Sequence, residues 1–333
     1  SGGIAKNKTE LTVRELQEKV LLKLSEYIET SQHQTLTQKI STADFVETSS
    51  TKDNVEAIKN AIIIRKQQKL GILPKSIIGT SGLIFEGDSG IGKSVMIEAV
   101  LKSQNITRLE NQDALMQLPI SNDSTSQSLD HHYYKIPANI SSQEIEQQLI
   151  EASKRGVIVV FDEINTRLDE GLEKTINALL TGSHPNSKNP EEQPQAGFMI
   201  IGSINSAIYA GRSAMSPAII HRSTYIKGKE LKDYSSQDFE EIMQNWANQI
   251  ENENESTKSS EEEAKISKFK TSNPEKFEQL IKNLAHTFHG MLNPQKLQSQ
   301  SPQDFKKISE IPAESLNFRN LKSTFLKSMA QEI

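Results

Sequence analysis

The sequence predicts an α/β fold in which a doubly wound, mostly parallel five-stranded sheet is followed by a smaller all-helical domain. Three observations lead there. Short apolar runs at residues 82–86, 133–138, 157–161, 198–203 and 224–226 alternate with segments of helical period, the pattern of strands joined by crossover helices. The run Val157-Ile158-Val159-Val160-Phe161 is apolar at every position, as expected of a strand buried on both faces. Beyond Lys229 the strand signal stops and only helical patterns continue.

Taken in order, residues 9–30 read as an amphipathic helix with Val13, Leu16, Val20, Leu24 and Ile28 among its apolar positions. The Ser/Thr/Gln-rich stretch 31–51 reads as a linker, so residues 1–51 stand apart as a helix and a polar connection. A second helix spans 52–70 and ends at Gly71 and Pro74. The first strand, 82–86, leads through a glycine loop into a helix over 93–102. Ser141 and Glu144 have capping-box spacing and open a helix reaching Lys154. Leu172, Ile176, Leu179 and Leu180 make another helical stripe, and the polar stretch 183–196 is expected to be a long exposed loop. The α/β domain is thus placed at 52–228 and the helical domain at 229–333, with helices over 234–249, 274–289 and 314–331. The Glu- and Asn-rich stretch near 250–270 is expected to be a solvated or disordered insert.

With 35% hydrophobic and 24% charged residues in 333, the chain can bury two cores beneath a polar surface. Its net charge of −5 counts against a dominant affinity for nucleic acid or membranes. No apolar run approaches the ~18 residues of a membrane span, and no secretion signal pattern opens the chain, so a cytoplasmic location is the expectation. The absence of cysteine excludes disulfides, thiolate metal sites and cysteine catalysis.

Between the first strand and its helix lies Gly87-Asp88-Ser89-Gly90-Ile91-Gly92-Lys93-Ser94. Glycines let the backbone wrap an anion so that successive N–H groups point inward, and the following helix adds the positive end of its dipole. Lys93 is then placed for the β- and γ-phosphates of a nucleoside triphosphate, and the Ser94 hydroxyl for the shell of a magnesium ion. The expected ligand is therefore Mg-ATP held by a P-loop. No Asn-Lys-x-Asp run of the kind that reads guanine is present, which favours adenine.

The buried strand 157–161 delivers Asp162 and Glu163 at its C-terminal end, where parallel sheets bind ligands. Hydrolysis needs one carboxylate beside the metal and another to polarise water, and adjacent residues at a strand end diverge enough to divide those tasks. Asp162 is the expected metal-side carboxylate and Glu163 the expected general base.

These two motifs and the segment after them resemble the AAA+ superfamily, most closely the branch containing midasin, dynein motor modules and the MoxR-type ATPases. Phe161-Asp162-Glu163-Ile164-Asn165 is similar to that branch's acidic motif, and the stretch from Gly197 to Ser206 to its fourth strand, ending in the sensor-1 asparagine. The stretch from Tyr209 through Gly211-Arg212, Ser216-Pro217-Ala218 and Arg222 resembles the motif that closes with its arginine finger. The resemblance covers residues 52–331 and departs from the family at Ser223, where phenylalanine is usual, and at Ser206, where proline is common. It implies that Asn205 is sensor 1 and that Arg222 serves a neighbouring subunit's nucleotide. It further implies that Arg319 is the sensor-2 arginine of the lid, and that Asn139 is a polar switch residue facing Glu163.

The resemblance implies an ATP hydrolase that remodels a macromolecular partner, working by self-association or in tandem with further modules. A protein substrate is favoured over nucleic acid. A slow nucleotide-gated binding module and a nucleic-acid motor are the alternatives. His131-His132 and the pair His286, His289 lack further ligands at metal-binding spacing, and Trp246 reads as part of a helix core face.

Overall fold

The computed structural model describes residues 39–42, 44–74, 79–120, 131–205, 215–252, 261–293 and 316–332. The helix expected at 9–30 lies outside them, as do Ser206 and the stretch 209–214 of the finger motif.

Six parallel strands form one sheet, and the sequence reading missed one of them. β1 (Gly82–Glu86), β2 (Thr107–Leu109), β3 (His132–Lys135), β4 (Ile158–Phe161), β5 (Met199–Ile204) and β6 (Thr224–Lys227) are ordered β2-β3-β4-β5-β1-β6. The unforeseen strand is β2, three residues at the sheet edge with Thr107 and Arg108 exposed. An edge strand buries little, so its sequence carries almost no apolar signal.

Residues alternate between two cores along the central strands, which is what makes the sheet doubly wound. Ile84, Val159, Phe161, Ile200 and Ile204 face a core shared with α4 (Ser142–Lys154) and α5 (Glu170–Leu180). Leu83, Phe85, Val160 and Ile201 face the opposite core, shared with α1 (Lys52–Lys69) and α2 (Lys93–Ser103). Between α2 and α4 lies a short helix, α3 (Gln112–Gln117). The capping box on α4 forms as its spacing requires, with the Ser141 and Glu144 side chains each bonded to the other's backbone N–H. The loop at 183–196 is less exposed than expected. It carries a 3-10 turn at Pro190–Glu192, and its end is buried at Ala196.

After β5 comes α6 (Pro217–His221), and after β6 the helical domain. Four of its helices lie among the described residues: α7 (Ser236–Asn252), α8 (Glu261–Ser272), α9 (Pro274–Leu292) and α10 (Phe318–Glu332). α8 corrects the expected insert at 250–270, of which residues 253–260 lie outside the description. Among its described side chains Ile266 is fully buried, and it docks into the core of Phe239, Met243, Phe277 and Phe325. Tertiary packing therefore holds a helix whose Glu-rich composition reads as solvated.

The supposed linker is also corrected over its described part. Ile40 and Phe45 are buried in the α1–α2 core, while Val46 packs on the helical domain's core. Ser41 and Val46 bridge in antiparallel fashion, and Glu47 lies 3.7 Å from the buried Lys59 of α1.

Candidate functional site

Several of the candidate side chains gather at the ends of parallel strands. β5 lies between β1 and β4, so Gly87 after β1, Asp162 and Glu163 after β4, and Asn205 after β5 emerge side by side. Gly90 and Gly92 take φ of 77° and 79°, left-handed values that favour glycine, and Gly92 delivers the chain into the first turn of α2. A Cβ on Gly90 would stand 2.8 Å from Cβ of Asn317, so the helical domain rests directly on the loop.

Lys93 is buried, and its Nζ donates to the Gly87 carbonyl at 2.8 Å, the Asp88 carbonyl at 2.6 Å and Asn205 Oδ1 at 2.7 Å. Asn205 uses its other side-chain atom to donate to Glu163 Oε1 at 2.7 Å. The Ser94 hydroxyl donates to Asp162 Oδ1 at 2.6 Å, and Ser203 Oγ donates to the same oxygen at 3.1 Å. The Glu163 N–H, bonded to Ser203 Oγ, joins these groups, so one connected network contains a cation, two hydroxyls, two carboxylates and an amide.

Glu163 has φ 50° and ψ 42°, a left-handed conformation that is costly for a side-chain-bearing residue. Its backbone N–H is held by Ser203 Oγ at 3.1 Å, and its carbonyl accepts from Thr166. The strained turn aims an exposed carboxylate at Asn205 instead of continuing the strand.

Lys135, at the end of β3, was not singled out from the sequence. Its ammonium lies 3.0 Å from Asp162 Oδ2 and 2.6 Å from Glu98 Oε1 on α2. Burial pulls the Lys135 pKa down, but hydrogen bonds and charge from Glu98 and Asp162 outweigh it and raise the value. Burial likewise opposes ionisation of Asp162, yet Ser94, Lys135 and Ser203 together hold its pKa below the usual carboxylate value. Burial lowers the Arg167 pKa against the opposing pull of Asp162 and Glu163, and its guanidinium stacks over Phe161 at 5.2 Å. A lysine ending the strand beside the acidic pair was the available signal for Lys135.

A cavity of about 690 Å³ opens over this network. Ser89, Gly90, Ile91, Gly92, Lys93, Ser94, Glu163, Ser203 and Asn205 line one end. Asp44, Phe45, Val46 and Thr51 line it from the N-terminal side, and Tyr234, Ile242, Trp246, Phe318, Arg319 and Lys322 from the helical domain. Ile91 is buried among the helical domain's apolar residues, and the Phe318 N–H donates to the Gly90 carbonyl at 3.2 Å.

The sequence-derived candidates therefore divide. Gly87, Asp88, Lys93, Ser94, Asp162, Glu163 and Asn205 converge on one network, and Arg319 faces the same cavity. Arg222 does not line it; its Nη1 donates to Asn177 Oδ1 at 2.6 Å on α5. Asn139 is exposed, and the amide bonded to Glu163 belongs to Asn205 instead. Trp246 is a core residue, as read, with Phe325 at 6.0 Å; it also walls the cavity beneath the Lys322 ammonium.

The donor set suits a divalent metal with a polyphosphate. Lys93 already gathers three oxygens around one ammonium, and Ser94 with Asp162 supplies hard oxygen donors of the kind magnesium prefers.

Residues 82–223 match the family model described as AAA domain (dynein-related subfamily). No curated protein matches the sequence. Among solved structures, a single-substitution variant of Thermotoga maritima RuvB is similar at 16% identity, over 78% of this chain and 68% of that one, with a TM-score of 0.38.

Proposed function

We propose, from the premise that this chain is a member of the AAA+ superfamily with an AAA domain over residues 82–223, that it binds Mg-ATP and hydrolyses it to drive rearrangement of a macromolecular partner. The observation that carries the reading is the placement of Asn205, bonded at 2.7 Å both to Lys93 and to Glu163. A phosphate-binding cation and a water-polarising carboxylate are thereby held at opposite ends of one neutral amide.

In this reading Lys93 and the backbone N–H groups of the glycine loop hold the β- and γ-phosphates. Ser94 and Asp162 would hold a magnesium ion, which would supply charge neutralisation for the triphosphate. Glu163 accepts a proton from the attacking water, and Asn205 fixes the orientation of that carboxylate. Arg319 reaches the phosphates from the helical domain, which acts as a lid, and Arg222 completes the site of a neighbouring subunit. Protein is favoured as the partner, since the net charge of −5 offers little to a nucleic acid.

A slow nucleotide-gated binding module is the second reading, and the burial of Ile91 in the lid core supports it as much as the first. A phosphate loop packed into the lid links nucleotide occupancy to lid position whether or not turnover is fast. Glu163→Gln separates the two. A remodelling ATPase keeps nucleotide affinity, loses hydrolysis by about 10²–10⁴-fold, and loses function with it. If Glu163→Gln hydrolyses ATP at the parental rate, Glu163 is not the base and the hydrolytic reading fails.

A further inference from the structure

Asp238 sits at the third position of α7 and accepts hydrogen bonds from two distant parts of the chain. Its own helix start supplies three bonds of a capping box. The Ser235 N–H and hydroxyl donate to Oδ2 at 2.8 and 2.7 Å, and the Asp238 N–H donates back to Ser235 Oγ at 3.1 Å. The second set comes from residues 188 and 189 positions earlier. Ser49 Oγ donates to Oδ1 at 2.9 Å, the Ser50 N–H to Oδ1 at 3.2 Å, and Ser50 Oγ to Oδ2 at 2.8 Å. A helix cap needs only the first set. The second joins the lid to the strap formed by residues 40–42 and 44–51.

The strap lies between the two halves of the cavity wall. Phe45 is buried in the α/β core and its neighbour Val46 packs on the lid core, so consecutive side chains enter different hydrophobic clusters. Glu47 faces Lys59 of α1 at 3.7 Å, anchoring the strap to the α/β side. On the lid side, Ser41 Oγ donates to Asn245 Oδ1 at 3.1 Å, and Asn245 Nδ2 donates to the Thr42 carbonyl at 3.1 Å. Asp44, Phe45 and Val46, between these ties, form cavity wall that lies outside the AAA-domain match. The lid is therefore hydrogen-bonded to the strap at both of its ends.

We propose that Asp238 is a positioning residue that clamps the strap to the lid, so that the cavity wall at Asp44–Val46 is assembled only when strap and lid move as one body, and that this clamp sets nucleotide affinity and not the chemical step. The proposal rests on the reading of the cavity as a Mg-ATP site. Preorganised walls cost a ligand less ordering entropy than walls it must assemble, so release of the clamp weakens binding without touching Lys93, Glu163 or Asn205.

The double variant Ser49→Ala/Ser50→Ala tests this, because it removes two strap hydroxyls and leaves the Ser235–Asp238 capping box whole. Amide hydrogen exchange without nucleotide reads the clamp directly. Faster exchange at residues 44–47, with α4 unchanged, supports it; unchanged exchange at 44–47 overturns it. Mg-ATP affinity is then followed by the fluorescence of Trp246, the only tryptophan, alongside steady-state hydrolysis. The expected result is an affinity weaker by about tenfold, near the worth of one charge-assisted hydrogen bond, with the rate at saturation within about twofold. Equal affinity overturns the link to nucleotide, as does a fall in saturated rate with affinity preserved. Failure of the parent protein to bind Mg-ATP overturns that link through the nucleotide reading itself, and the parent titration identifies that case. Asp238→Asn, folded by circular dichroism, is expected to show the same split.

Discussion

Asn205 and Glu163 are joined across the ends of neighbouring strands by a 2.7 Å hydrogen bond, with the amide donating and the carboxylate accepting. The direction of that bond matters more than its length. Because Asn205 Oδ1 already accepts from Lys93, the amide cannot flip without losing both partners.

Asn205→Ala is therefore expected to slow hydrolysis by about 10²-fold, the scale of removing one oriented polar group at a reacting centre, while Mg-ATP affinity changes little. Asn205→Asp is expected to be slower still. It keeps the shape and the acceptor for Lys93 but sets a carboxylate against Glu163, where like charges repel. Phosphate release under saturating Mg-ATP measures both. An Asn205→Asp enzyme faster than Asn205→Ala would show that Asn205 does not act by orienting Glu163.

Lys135 holds the Asp162 oxygen that Ser94 and Ser203 leave free, at 3.0 Å. Lys135→Met removes that restraint without changing side-chain length much. The expected result is hydrolysis slower by about tenfold at fixed magnesium, equivalent to roughly 1.4 kcal/mol, with partial recovery as magnesium is raised. Lys135→Arg, which keeps the charge, should recover part of the loss. A magnesium titration of the rate checks this, and an unchanged Lys135→Met profile would leave Lys135 a surface partner of Glu98 alone.

How much of this was legible in advance depended on how local the cause was. The glycine loop and the acidic pair could be read because their geometry is imposed by neighbours in sequence: left-handed turns at Gly90 and Gly92, and a strand that must end before Asp162. Lys135 was passed over, although it ends the strand beside the acidic pair, because its partner Glu98 lies 37 residues away on another element. Ser49 and Ser50 read as linker for the same reason, since their acceptor on Asp238 lies nearly two hundred residues downstream. β2 and α8 were missed because edge position and tertiary docking, not local pattern, hold them in place.

Asp238 also makes a prediction about acid stability. Burial opposes its ionisation, but the hydrogen bonds from Ser235, Ser50 and Ser49 prevail and hold its pKa far below the usual carboxylate value. A carboxyl whose folded pKa is depressed stabilises the fold above its unfolded pKa of about 3.9, and that contribution is lost as pH falls toward the folded value. The gap in melting temperature between the parent and Asp238→Asn should thus be constant above about pH 5 and narrow below about pH 4. Thermal melts from pH 7 to pH 3 measure it. A gap that widens on acidification would contradict the assignment of the ionised form.

Arg222 is the candidate that its own chain's cavity does not use, since its guanidinium rests on Asn177 of α5. If it completes a neighbour's site, as proposed, hydrolysis per chain should rise steeply with protein concentration as assemblies form, and Arg222→Ala should abolish that rise. Loss of an arginine acting on the transferred phosphoryl group costs about 10³-fold or more. Mixing gives the sharper measurement. Arg222→Ala retains Glu163 and lacks only what a neighbour supplies, whereas Glu163→Gln retains Arg222 and cannot activate water. A mixed assembly pairs an intact Glu163 with an intact Arg222 at some interfaces, so two inactive variants should regain a measurable fraction of the parental rate when combined. If the mixture is no faster than the sum of its parts while light scattering shows assembly, Arg222 acts within its own chain or not at all.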